Sequence, residues 1–130
     1  MYQLNYIIPI DIQLDNGLYT FYPESGMGKS RLYHLVREYM TNPKLDAYAV
    51  TYADLNRGER VQEEVAKRKP KLIIFDRYNM YKRQFLDVIK EYKDKAIILV
   101  DYKGISDVFD GMPDEQCVLE LKADRIEVKP

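Results

Sequence analysis

Residues Gly17 to Tyr39, G-L-Y-T-F-Y-P-E-S-G-M-G-K-S-R-L-Y-H-L-V-R-E-Y, constrain the fold more than any other stretch of this 130-residue chain. Leu18 to Tyr22 is a β-prone run, and Leu32, Leu35, Val36 and Tyr39 recur at helical spacing on one face. Between them lies P-E-S-G-M-G-K-S, Pro23 to Ser30, with two glycines and a lysine. Strand, glycine-containing loop and helix in that order place a helix N-terminus, with its unsatisfied N–H groups, beside a strand end. Backbone donors and a lysine gathered there suit an anion.

The rest of the chain supplies partners for that unit. Lys71 to Tyr78, K-L-I-I-F-D-R-Y, holds four consecutive apolar residues, which predicts a strand covered on both faces as in a parallel sheet, with Asp76 where it emerges. Ala96 to Val100 is a second such strand and ends at Asp101, while Ala47 to Tyr52 is a third. Thr41-Asn42-Pro43 stops the first helix. Arg57 to Lys69 is helical in pattern but thinly apolar, with Val61, Val65 and Ala66 inward and Pro70 closing it. Met80 to Lys93 puts Phe85, Val88, Ile89 and Tyr92 on one face. Tyr2 to Leu14 alternates loosely and then meets Asp15-Asn16-Gly17, a hairpin signal, so this N-terminal strand is expected to pair antiparallel with the Leu18 strand. Pro9 marks it as an edge or bulged strand. Cys117 to Leu121 and Arg125 to Val128 read as a terminal pair of short strands, and Lys103 to Glu115 as a solvated connection.

Pro23 to Ser30 departs from G-x-x-x-x-G-K-[ST] only in having Pro23 for the first glycine. With the strand and helix around it, and with K-L-I-I-F-D downstream, the chain from about Gly17 to Val100 resembles the P-loop NTPases, closest in pattern to the ABC and RecA group. The resemblance implies an α/β three-layer fold. Its mainly parallel sheet would have order 5-1-4-3-2, with an N-terminal antiparallel strand and a C-terminal hairpin, all in one compact domain over residues 1–130. It implies that Glu24, Ser25, Gly26, Met27, Gly28, Lys29, Ser30 and Arg31 surround the phosphates of ATP, with amides from Gly26 onward as the donors. By the same resemblance Lys29 reaches the β and γ phosphates, Ser30 ligates Mg²⁺, Asp76 holds Mg²⁺ through water, and Asp101 sits beside the γ phosphate. An aromatic upstream of the loop, Tyr6 or Tyr2, would stack on adenine in such a site. Pro23 lacks an N–H and stiffens the loop entrance, but the donors come later.

Hydrolysis in that group usually needs a glutamate after the Asp76 position, and Arg77 stands there. The implied activity is therefore ATP binding by a minimal ATPase with weak turnover. Asp76-Arg77-Tyr78 also resembles nucleotide kinases of the thymidylate kinase kind, but the segment between Lys29 and Asp76 is short for a monophosphate-binding insertion. A third reading is a nucleotide-sensing or interaction module, with missing groups supplied by a protein partner or a second copy.

Composition removes other classes. The net charge of −1 gives no basic footprint for nucleic acid. Cys117 is the single cysteine, which leaves neither an internal disulfide nor a cysteine metal site. No apolar run reaches the length of a membrane span and the N-terminus lacks a signal-peptide pattern, so a cytoplasmic protein is expected. The 12 tyrosines, against 4 phenylalanines, are expected at half-buried positions with hydroxyls in water.

Overall fold

The computed structural model describes residues 2–5, 9–21, 29–40, 46–76, 82–100 and 115–130. Among these are eight strands and four helices. In chain order they are β1 (Tyr2–Asn5), β2 (Pro9–Ile12), β3 (Gly17–Phe21), α1 (Lys29–Tyr39), β4 (Ala47–Val50), α2 (Tyr52–Asn56), α3 (Val61–Arg68), β5 (Leu72–Phe75), α4 (Lys82–Tyr92), β6 (Ile97–Val100), β7 (Glu115–Leu121) and β8 (Ile126–Lys129).

One row, β1-β2-β8-β7-β3-β6-β5-β4, holds all eight strands, and burial divides it in two. From β7 through β3, β6 and β5 to β4, neighbours are parallel. Every residue of β4, β5 and β6 is buried, as continuous apolar runs require when both sheet faces are covered. Beyond β7 the pairing is mixed: β7 with β8 and β1 with β2 are antiparallel, while β2 lies parallel to β8. Here burial alternates along β2, whereas Ile126 to Val128 of β8 are all buried. Ile10, Ile12, Leu119, Ile126 and Val128 face the core, and the in-register row Gln3, Asp11, Glu127 and Glu120 faces the other way. Arg125 and Lys122 bridge its carboxylates, at 2.9 Å and 3.2 Å from Glu127.

The Tyr2 hydroxyl of β1 donates to Asp46 Oδ1 at 2.6 Å, immediately before β4. That contact links the two ends of the strand row, and the sheet is curled into a half-barrel.

This architecture overturns the expected three-layer P-loop fold. An order of 5-1-4-3-2 describes only the run from β7 to β4, and the whole sheet is different, because β8, β2 and β1 continue the same row through antiparallel β7–β8 and β1–β2 pairings and a parallel β2–β8 pairing. The expected hairpin between an N-terminal strand and β3 is also absent. β1 and β2 pair with each other, and Gly17 begins β3 by donating its N–H to Ala96 O at 3.0 Å. Asn16-Gly17 is a crossing point rather than a turn. Gly17 has φ +155°, a conformation that a side chain would strain. Pro9 opens β2, which is flanked by β1 and β8 and so is not an edge.

Among the described residues no helix is long and apolar enough to cross a membrane.

Candidate functional site

The C-terminal ends of the parallel strands carry the residues of interest. β3 ends at Phe21, and Lys29 opens α1. Glu24, Ser25, Gly26, Met27 and Gly28, together with Pro23, lie outside the described residues, as do Tyr6, Arg77 and Asp101. Lys29 Nζ reaches back to 6.0 Å from the centre of the Phe21 ring. Ser30 is the second residue of α1, and Arg31 beside it is exposed.

Asp76 follows β5 directly and is buried. Its N–H donates to Val50 O at 2.9 Å, which fixes it against the end of β4. Because β3, β6, β5 and β4 run parallel, the start of α1 and Asp76 share one edge of the sheet. Among the described residues no group of three or more His, Cys, Asp and Glu could hold a metal ion. Ser30 is described only through its backbone, as part of α1.

Charges at the helix starts are distributed unevenly. A helix N-terminus carries partial positive charge and favours acidic neighbours. α3 follows that rule with Glu63 and Glu64 first and Lys67 and Arg68 last, and α2 has Asp54 in its first turn. α1 and α4 have no acid in the first turn and open instead with Lys29 and Arg31, and with Lys82 and Arg83. Both follow parallel strands in chain order.

Behind it lies a polar network that sequence reasoning missed. Lys29, Tyr33 and Arg37 recur every fourth residue on one face of α1. The Tyr33 hydroxyl donates to Asp54 Oδ2 at 2.7 Å, and that oxygen also accepts the Thr51 N–H at 2.9 Å. Arg37 donates to both oxygens of Glu59, at 2.6 and 2.9 Å, and to Ala49 O at 2.9 Å; Asp54 lies 3.6 Å away. Tyr48 donates to Glu59 Oε2 at 2.5 Å. Burial, reinforced by the Asp54 carboxylate and by the charge of Asp76, raises the Tyr33 phenol above its usual range. Burial and Glu59 do the same to Tyr48, so both hydroxyls remain donors. Burial by itself would raise the Glu59 carboxyl, but hydrogen bonds from Arg37 and Tyr48 outweigh it and hold the group low.

An open cleft of about 380 Å³ borders this network, lined by Arg37, Asp54, Arg57, Glu59, Arg60 and Glu63. Its positive and negative side chains largely pair with one another, which leaves little preference for either sign of ligand. A second cleft of about 330 Å³ includes Tyr2, Asn16, Lys71 and Lys95 and lies at the opposite, N-terminal edge of the parallel strands. Tyr2 is thus remote from the α1 start and does not serve as an adenine platform there.

The signal for the network was present in the sequence as the Lys29-Tyr33-Arg37 spacing and the acids Asp54 and Glu59, but nothing local says that they meet. Compared with known proteins, the chain matches no family model, no curated protein and no solved structure.

Proposed function

We propose that this chain binds a nucleoside triphosphate, ATP, with Mg²⁺ at the sheet edge between the start of α1 and Asp76. The observation that carries this reading is P-E-S-G-M-G-K-S filling the interval from β3 to α1, with a buried aspartate ending a parallel strand on the same edge. The first turn of α1 carries no acid, which suits an anion near that helix start. The curled mixed sheet lends no support from fold, so the reading stands on the motif and its placement.

In this reading Lys29 supplies charge to the β and γ phosphates, Ser30 contacts Mg²⁺ and Asp76 holds the ion through water. Arg77 in place of a water-orienting glutamate makes binding with weak hydrolysis the expected behaviour. A nucleotide-rich cytoplasm is the compartment that fits. Ligand at 100 times its dissociation constant stabilises by about 2.7 kcal/mol, roughly 10 °C of melting midpoint for a chain this size. Mg-ATP should raise the wild-type midpoint by that order and leave Lys29→Ala nearly unmoved. Equal shifts in both proteins, or none in wild type, would remove the site.

A further inference from the structure

A short set of bonds ties α1 to the strand ends where Asp76 lies. Asp54 Oδ2 accepts the Tyr33 hydroxyl and the Thr51 N–H, at 2.7 and 2.9 Å. Thr51 is joined by its peptide bond to Val50, whose carbonyl accepts the Asp76 N–H at 2.9 Å. One carboxylate therefore holds both the helix that Lys29 opens and the strand end against which Asp76 is fixed. Tyr33 stands one helical turn beyond Lys29, on the same face.

Tyr33 and Asp54 are only 5% and 4% exposed. Burying a hydroxyl and a carboxylate is costly, and a well-packed apolar pair would stabilise a core as well or better. What hydrogen bonds add is a fixed direction and separation. We propose that Tyr33 and Asp54 are positioning residues that set the spacing between the α1 start and Asp76, and so the fit of Mg²⁺ between them. This rests on the nucleotide-binding reading above. Mg²⁺ demands near-ideal octahedral geometry, whereas phosphate held by several backbone amides tolerates small shifts. Loss of the tie should therefore weaken Mg-ATP much more than metal-free ATP.

The test is calorimetric titration of wild type and Tyr33→Phe with ATP, once with Mg²⁺ and once with chelator, alongside melting curves. The quantity read is the ratio of the two dissociation constants. Loss of a supporting group behind a metal site costs about 10-fold or more, so the Mg²⁺ advantage in Tyr33→Phe should fall by about 10-fold. Asp54→Ala removes the acceptor of both bonds, and it should lower the ratio in the same direction if Tyr33→Phe does not fold. Val128→Ala, buried in β8 beyond β7 and away from α1, should lose stability with the ratio unchanged. An unchanged ratio in the folded network variants overturns the positioning role while leaving the nucleotide site standing. An equal fall in Val128→Ala, or failure of both network variants to fold, also overturns it. A wild type that binds no ATP removes the site and the positioning role together.

Discussion

Replacing Arg37 by methionine keeps a long apolar stem and removes the guanidinium that serves Glu59, Asp54 and Ala49 O. Removing one partner of a buried ion pair costs about 3–5 kcal/mol, because the other charge is left without compensation. Arg37 is 28% exposed, so water offsets part of this, and Tyr33 and Tyr48 still donate to the stranded carboxylates. About 2–4 kcal/mol is then expected after that discount for exposure. With about 2.1 cal/mol/K of unfolding entropy per residue, the midpoint should fall by roughly 7–15 °C. The loss must also depend on pH in one direction. In wild type the Glu59 carboxyl is held below its ordinary value, so its stabilisation is present above about pH 4.3 and is lost as pH falls through the depressed value. In Arg37→Met the burial that remains pushes Glu59 upward, and protonation relieves the variant first. The gap between the two melting midpoints should therefore be widest at pH 7 and narrow towards pH 4. A gap below about 2 °C at pH 7, or one equally wide at pH 4, would refute the assignment of that cost to a stranded carboxylate.

Burial pushes the Cys117 thiol up to about 12, so native protein holds little thiolate at pH 8 and labelling should require unfolding; rapid reaction of native protein with a thiol reagent would contradict this. Phe85→Ala removes a fully buried ring stacked 4.4 Å from Phe75 and should cost about 3–5 kcal/mol by urea unfolding, whereas a loss under about 1 would show the stack to be dispensable. Purified protein should release phosphate from ATP at well below about 1 per second, and vigorous turnover that Lys29→Ala abolishes would refute weak hydrolysis. ADP formed only when a nucleoside monophosphate is added would favour the kinase reading.

The parallel strands were legible because their burial is written locally. Leu72 to Phe75 and Ile97 to Val100 are unbroken apolar runs, and only a strand covered on both faces explains them. The pairing of the strands before β3 was not legible, because what decides it is remote. Ile10 and Ile12 pair with Ile126 and Val128 from the other end of the chain, and that pairing outweighs the local turn chemistry of Asn16-Gly17. At the candidate site, Lys29, Ser30 and Asp76 were legible as a motif and a strand end, while Tyr33, Arg37, Asp54 and Glu59 were not. The tyrosine excess was the missed clue. Tyr2, Tyr33 and Tyr48 donate to Asp46, Asp54 and Glu59, and Tyr19 to Asp15 O, so these hydroxyls join elements rather than face water. Phenylalanine could fill the same space but could not make those bonds.

Titration of wild type and Asp76→Asn with ATP, with and without Mg²⁺, tests the proposed site most directly. The substitution preserves size and the backbone N–H that binds Val50 O, so the strand end should hold while the charge proposed to hold Mg²⁺ is lost. The account predicts tight Mg-ATP binding to wild type, at least about 10-fold weaker Mg-ATP binding to Asp76→Asn, and closely similar affinities for metal-free ATP. Equal weakening with and without Mg²⁺, or no binding by wild type, would contradict it.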